Sequence, residues 1–185
     1  MRADRTTVNA LMDRASSGDR DAFGALASAV QDELFRLALA IGLTRDDAAE
    51  VTQEALLRAF AGRRGWRRNA DVMAWLCGIV VNVAREWRRR QRRRVALPLD
   101  ADSLGTPDRS PQAAPARPWE PEQLRELMEA VRRLPPRQRE AIACRYLRRM
   151  SIRQTAQVMG CAEGTVKSAV SAALERLRGI LRNVP

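Results

Sequence analysis

The sequence predicts an all-α protein of two small helical domains joined by a flexible, proline-rich linker. Apolar residues recur at helical spacing over most of the 185 residues, and no segment alternates as a strand does. Six prolines fall between residues 98 and 121, a density that interrupts helices. We therefore expect one domain at residues 1–94, a linker at 95–122 and a second domain, containing a helix-turn-helix, at 123–185.

The charge distribution supports the same division. The whole chain has a net charge of +11, with 33 basic and 22 acidic residues, and Lys167 is its single lysine. The positive charge is concentrated in two stretches, residues 63–94 and residues 123–185, whereas residues 95–122 are acidic. Two separate basic surfaces indicate two contacts with nucleic acid.

Helices account for the first 62 residues. A weak apolar stripe at residues 8–15 predicts the first helix, and a strong one from Phe23 to Ile41, closed by Gly42, predicts the second. Thr44 can cap the third helix, which we expect to end at Gly62.

A basic loop and a long helix follow. Four arginines surround Trp66 in the loop, Asp71 can cap the helix, and residues 88–94 hold six arginines in seven positions. Arginines neutralise phosphates and an exposed ring can stack on an unpaired base, so this stretch predicts a single-strand binding site. A Trp66 that anchors the loop on the core, and a solvated arginine tail at a helix C-terminus, are the alternatives.

Four more helices are predicted after the linker. Pro121 fits the first turn of one helix, and the prolines at 135 and 136 end it. The next runs over residues 137–148, with Ile142, Tyr146 and Leu147 directed inward. A short helix begins at a capping box and ends at Gly160, and a last helix starts near residue 164.

The last two helices form a predicted helix-turn-helix. Ala156 allows two helices to approach closely, Gly160 supplies the turn, and Val166 and Val170 pack the second helix back. In DNA-binding units of this kind the second helix enters the major groove. An ordinary αα-hairpin without a DNA role is the alternative, and the basic charge of the domain favours DNA binding. The side chains expected on the outer side are Thr165, Lys167, Ser168 and Ser171.

Several classes of protein are disfavoured by composition. The chain lacks histidine, and its cysteines, Cys77, Cys144 and Cys161, form no C-x-x-C pair, so we expect no metal, no cofactor and no catalytic site. We expect Cys77 and Cys144 to be core residues. No apolar run approaches the ~20 residues of a membrane helix and no apolar signal core begins the chain, so we expect a cytoplasmic protein without membrane insertion or small-molecule substrate.

The motifs resemble those of bacterial extracytoplasmic-function (ECF) sigma factors. The matching stretches are residues 134–141, 160–168 and 173–178 for region four, and residues 18–23, 46–55 and 75–82 for region two. Both sets occur in the family's order, and together they cover nearly the whole chain except the linker. The resemblance implies a non-enzymatic subunit that binds core RNA polymerase and promoter DNA, with one domain on the −10 element and the other on the −35 element. It adds an anti-sigma factor as a candidate partner that no residue singles out.

The resemblance also assigns residues. It implies that the third predicted helix binds core polymerase, that the loop and fourth helix bind the −10 strand, and that the last helix binds the −35 element. The polymerase-binding residues are Asp47, Glu50, Gln53, Glu54 and Leu57. The −10 residues are Arg63, Arg64, Trp66, Arg67, Arg68, Asn82, Arg85, Arg88 and Arg89. The −35 residues are Thr165, Lys167, Ser168, Ser171 and Arg176.

Four positions depart from the family's pattern. Ala169 and Ala172 stand where arginines are common, which implies a −35 contact that is weaker or shifted to neighbouring residues. Gly78 and Val81 stand where side chains are often larger or charged. Two other functions fit the residues: a stand-alone helix-turn-helix regulator, which would bind its operator without polymerase, and a nonspecific arginine-rich RNA-binding or architectural protein, which would bind any sequence with a steep salt dependence.

Overall fold

The computed structural model describes residues 4–66, 71–96 and 121–182, and side chains within 4–66, 71–93 and 126–181. Within those ranges the chain is all-α, as predicted, and no strand occurs. None of the described helices combines the length and the hydropathy that a membrane-spanning segment needs. The helices are α1 (Arg5–Ser16), α2 (Arg20–Ala40), α3 (Arg45–Gly62), α4 (Val72–Ala96), α5 (Pro121–Arg132), α6 (Pro136–Ile142), α7 (Ile152–Met159) and α8 (Glu163–Arg182).

The helix starts lie where the capping residues predict them. Thr44 accepts a hydrogen bond from the backbone N–H three residues ahead at 3.2 Å, and Asp71 does the same at 2.9 Å. Ser151 and Gln154 form both bonds of the predicted capping box, at 3.1 and 2.9 Å. Each cap satisfies N–H groups that a helix leaves without an internal partner.

The N-terminal half, residues 4–96, packs α1 to α4 around one apolar core. The apolar stripes predicted from the sequence supply the buried side chains, and Trp75 and Trp87 pack against them half-buried. The largest fully buried side chains in this half include Met12, Leu26, Leu34, Leu37, Ile41 and Leu76.

The C-terminal half, residues 121–182, arranges α6, α7 and α8 as the predicted helix-turn-helix unit, with α5 packed on α8. Two apolar clusters hold it together. One joins α5 to α8, and the other joins α6, α7 and α8. The buried members are Ala130, Leu134, Ala173 and Leu177 in the first cluster, and Ala141, Ala156, Met159 and Val166 in the second.

The prediction that Tyr146 points inward is wrong. Helix α6 ends at Ile142 and continues as a π-helical turn over Ala143–Leu147, and Tyr146 is 56% exposed. A π turn closes i→i+5 hydrogen bonds, so the side chains after Ile142 no longer follow the period of 3.6 that the prediction assumed.

Gly160 ends α7 in the left-handed conformation (φ 61°, ψ 47°), as the predicted turn requires. A Cβ at this position would meet no atom within 4 Å, so a substitution costs backbone strain and not space. We expect Gly160→Ala to lower the free energy of unfolding by about 1 kcal/mol. Gly160→Asn should cost less because Asn tolerates this region. Urea denaturation of both variants checks the order, and equal losses would contradict the explanation.

The two halves pack against each other, which no sequence pattern indicated. Helix α7 lies against α4, and Cys144, Met150 and Val158 join the core cluster of the N-terminal half. Cys77, on α4, is buried in the same cluster, so both cysteines are core residues as predicted. We refer to this packing of α6, α7 and the π-helical turn on α2 and α4 as the inter-domain contact.

Candidate nucleic-acid and polymerase interfaces

A cleft of about 600 Å³ opens between α3 and α4. Helical spacing places Trp75, Asn82 and Arg89 of α4 along it, because residues seven apart on a helix share a face. Asn82 is exposed and its amide offers two donors and an acceptor, whereas Trp75 adds a half-buried ring. An amide, an aromatic surface and arginines in one cleft are suited to holding a nucleic-acid base and its phosphate.

An ion-pair network joins α3 to α4 at the cleft. Arg58 donates to Glu86 at 2.8 Å and to Glu54 at 2.7 Å, and these contacts raise the pKa of Arg58. The hydrogen bond from Arg58 lowers the pKa of Glu86. Both groups therefore stay ionised at neutral pH. The network fixes α3 on α4, so the residues on the two sides of the cleft keep a fixed spacing.

The basic loop does not present its aromatic ring to solvent. A 3₁₀ turn at Arg63–Gly65 folds the loop onto α1 and buries Trp66, which is 7% exposed. The indole N–H of Trp66 has no hydrogen-bond partner among the described residues. The expectation that this ring is exposed is therefore wrong, and its burial favours the alternative of a core anchor, because the apolar area of an indole outweighs its single N–H.

The loop arginines differ in their accessibility. Arg63 is buried: its guanidinium lies 3.8 Å from the centroid of the Phe60 ring and donates to the Phe60 carbonyl. It is therefore not free to meet DNA, contrary to expectation. Arg64 is exposed, and Arg67 and Arg68 lie outside the described residues.

The arginines of α4 divide into two sets. Arg89 and Arg90 are exposed, as a phosphate-binding surface requires. Arg85 and Arg88 are instead held by Glu140 of α6, whose carboxylate lies 2.7 Å from Arg85 and 3.3 Å from Arg88. Burial lowers the pKa of Arg88, and Glu140 opposes that effect.

Glu140, Glu33 and Arg148 are residues that sequence reasoning missed. Glu33 and Arg148 form a second ion pair at 2.5 Å, and both side chains are buried. The available signal was a carboxylate on an apolar helical face: Glu33 precedes Leu34 in the stripe of α2, and Glu140 precedes Ala141. A charge at such a position is buried only if a partner from another element meets it.

Helix α8 presents the predicted −35 residues on its outer side. Thr165, Lys167, Ser168, Ser171 and Arg176 are all exposed. Only Lys167 and Arg176 among them are basic, and Ala169 packs toward the cluster that joins α6, α7 and α8.

Helix α3 presents an exposed face on the far side from its buried residues. Glu50 and Gln53 are exposed on it and Asp47 is half-buried. Leu57 is 59% exposed, one of two large hydrophobic side chains that are exposed in the described part of the chain. Glu54 is half-buried and pairs with Arg58, which lines the cleft. An exposed leucine beside acidic and amide groups is suited to a protein partner.

Comparison with known proteins identifies relatives of both halves. Residues 26–94 match the family model for sigma-70 region 2, and residues 124–177 match that for sigma-70 region 4. The ECF RNA polymerase sigma factor SigM of Mycobacterium tuberculosis is 36% identical over 89% of this chain and 80% of that protein. The ECF RNA polymerase sigma-E factor of Haemophilus influenzae is 30% identical over 95% of each.

A solved structure resembles the fold as a whole. The sigma factor RpoE of Bartonella quintana, in complex with the anti-sigma factor NepR, superposes with a TM-score of 0.70 at 27% identity. The match covers 84% of this chain and 94% of that one, so it includes parts of both halves.

Proposed function

The chain belongs to the ECF sigma factors of bacterial RNA polymerase and directs promoter-specific transcription initiation, and we propose that its surfaces divide this work as follows. Helix α3 binds core polymerase, the cleft between α3 and α4 holds the −10 strand, and α8 reads the −35 element. The observation that carries the proposal is the cleft, which Trp75, Asn82 and Arg89 line on one face of α4. In this proposal the chain catalyses no reaction itself. It acts in the cytoplasm.

We place two functional domains in residues 1–94 and 123–185, with residues 95–122 between them. The two family models support this division, because each falls within one of these domains. An anti-sigma factor is a candidate partner, supported by the complex in which the Bartonella relative was solved.

Run-off transcription with core polymerase across a library of promoters tests the function. We expect the chain to direct initiation from a subset that shares −10 and −35 sequences. Tight operator binding without polymerase would instead support a stand-alone regulator, and sequence-independent binding with a steep salt slope would support a nonspecific binder.

The α3 surface predicts a variant that loses polymerase and keeps its fold. Gln53→Ala combined with Leu57→Ala should weaken association with core polymerase about tenfold or more, since an exposed leucine and its neighbours contribute about 1–2 kcal/mol at an interface. Alanine is the best helix former, so the melting temperature should not fall. Fluorescence anisotropy with labelled protein measures the affinity.

Gln31→Ala is the matched control for this variant. Gln31 is exposed on α2, outside the proposed surface, and its change to alanine repeats the Gln53→Ala half of the double variant. If the double variant binds core polymerase with wild-type affinity, this face of α3 is not part of the interface.

A further inference from the structure

The arginine pair at the centre of α4 is occupied by the chain itself. Oε2 of Glu140 accepts from Arg85 at 2.7 Å, Oε1 lies 3.3 Å from Arg88, and the whole side chain is 1% exposed. Arg85 also donates to the carbonyl of Met159 at 2.9 Å. Arginine binds carboxylates and phosphates in the same forked geometry, so the Glu140 carboxylate takes up donors of Arg85 and Arg88 that could otherwise bind a phosphate.

The inter-domain contact is held at other points along its length. Glu33 of α2 pairs with Arg148, and Arg139 donates to the carbonyl of Ile41 at 3.2 Å. At the opposite end Gln154 donates to Asp71 at 3.2 Å. A contact with buried ion pairs at separate points has one defined register.

Gly78 lies where the backbones of the two halves approach each other. It lies on α4, and a Cβ placed there would be 3.8 Å from the Cα of Val158 on α7. An alanine therefore fits in ordinary contact, whereas a longer side chain meets the α7 backbone. The packing of α7 on α4 therefore requires a small side chain at this position, where the family's pattern often has a larger or charged one.

We propose that the inter-domain contact is an internal inhibitory contact, in which the helix-turn-helix domain competes with promoter DNA for Arg85 and Arg88. The proposal rests on the proposed function of α4 as the −10 surface. The −10 and −35 elements are separated by about 85 Å of duplex at 3.4 Å per base pair. A compact chain of this length is only about 40 Å across, so the docked form cannot reach both elements.

Polymerase binding and DNA binding are thereby separated. In the docked form Gln53 and Leu57 of α3 are exposed, whereas Arg85 and Arg88 of α4 are engaged. Core polymerase can thus meet the docked form, and release of α4 from the helix-turn-helix domain follows as a separate step before the −10 strand is bound.

The reaction rates of the three cysteine thiols report on opening of the inter-domain contact. Cys77 and Cys144 are buried at the inter-domain contact, whereas Cys161 is partly exposed on the helix-turn-helix turn. With a chromogenic aromatic disulfide as the thiol reagent, we expect one fast and two slow thiols per wild-type chain. The full chain is used throughout, and circular dichroism verifies that each variant is folded.

Two different changes should open the contact. Glu140→Gln keeps the side-chain shape and removes the charge. Gly78→Leu keeps every charge and places a large side chain against the backbone of α7. Each should raise the reaction rate of the slow thiols about tenfold or more, which corresponds to a shift of about 1.4 kcal/mol in the opening equilibrium. The controls are Glu129→Gln, which removes an exposed carboxylate of the same half, and Gly78→Ala, which fits.

The same variants are then titrated with a fluorescent 20-nucleotide single strand at several salt concentrations. Freeing two arginines should make the salt dependence of log K steeper by about 1.4, from ~0.7 for each phosphate contact. Gly78→Leu against Gly78→Ala is the decisive pair because their charges are equal.

The outcomes separate this proposal from the function on which it rests. Faster thiols together with tighter and more salt-dependent DNA binding support the inhibitory contact. Faster thiols with unchanged DNA binding would overturn both the competition and the −10 role of α4. Unchanged slow thiols in folded Glu140→Gln and Gly78→Leu, or three fast thiols in the wild type, would overturn the inhibitory contact alone.

Discussion

Trp66→Ala should lower the free energy of unfolding by about 3–5 kcal/mol, the usual cost of removing a buried aromatic side chain. The indole lies in the core of the N-terminal half, so its removal leaves a cavity that α1 and the 3₁₀ turn cannot fill without moving. Urea denaturation followed by circular dichroism measures the loss. Trp66→Phe, which keeps most of the apolar volume, should lose less than half as much.

A second substitution of Trp66 distinguishes a ring that anchors the core from a ring that stacks on a base. Trp66→Leu fills part of the cavity but offers no aromatic face. Below its melting temperature, holoenzyme with this variant should open a promoter like the wild type, because in the structure the ring is already inside the protein. Permanganate footprinting of unpaired thymines measures the opening. Lost thymine reactivity in folded Trp66→Leu holoenzyme would show that the ring leaves the core to stack on a base.

Asn82→Ala should reduce run-off transcription about tenfold or more while leaving polymerase binding intact. The amide of Asn82 is exposed in the cleft, and an amide that reads a base edge contributes about 1–3 kcal/mol of discrimination. Its removal from an exposed helix position costs no stability, since alanine is the better helix former. Single-round transcription from one promoter measures the loss.

Asn9→Ala is the control for this experiment. Asn9 is exposed on α1 and does not line the cleft, so the same substitution there should not change transcription. A promoter with a pre-melted −10 bubble should recover only part of the activity of Asn82→Ala, because the base still lacks its partner. Wild-type activity of Asn82→Ala on duplex promoters would show that a residue other than Asn82 recognises the base.

Most of the secondary structure follows from local sequence. Thr44, Asp71 and Ser151 cap helices where they were expected to, and Gly160 ends α7 in the left-handed conformation. The residues that make these interactions stand within four positions of one another, so a pattern in the local sequence can predict them. Tyr146 is the exception, because the π-helical turn at Ala143–Leu147 changes the period on which its predicted direction rested.

Composition and resemblance predicted which residues belong to the candidate site, but they did not predict which of those side chains are exposed. Asn82, Arg89 and the outer residues of α8 lie on the surface, as expected. Trp66 and Arg63 do not, because the turn at Arg63–Gly65 brings them against the core and against Phe60. A basic loop with an aromatic residue has the same sequence whether the ring faces water or protein.

The amino-acid sequence by itself determined the helices, the helix-turn-helix, the two basic stretches and the family. Only the tertiary structure decided which charges are free. Glu140 lies 55 positions from Arg85 and 52 from Arg88, and Arg148 lies still farther from Glu33. Periodicity describes one helix at a time, whereas a buried ion pair forms only when two distant helices remove the same charges from water. That is why the engagement of the α4 arginines is visible in the fold and not in the sequence.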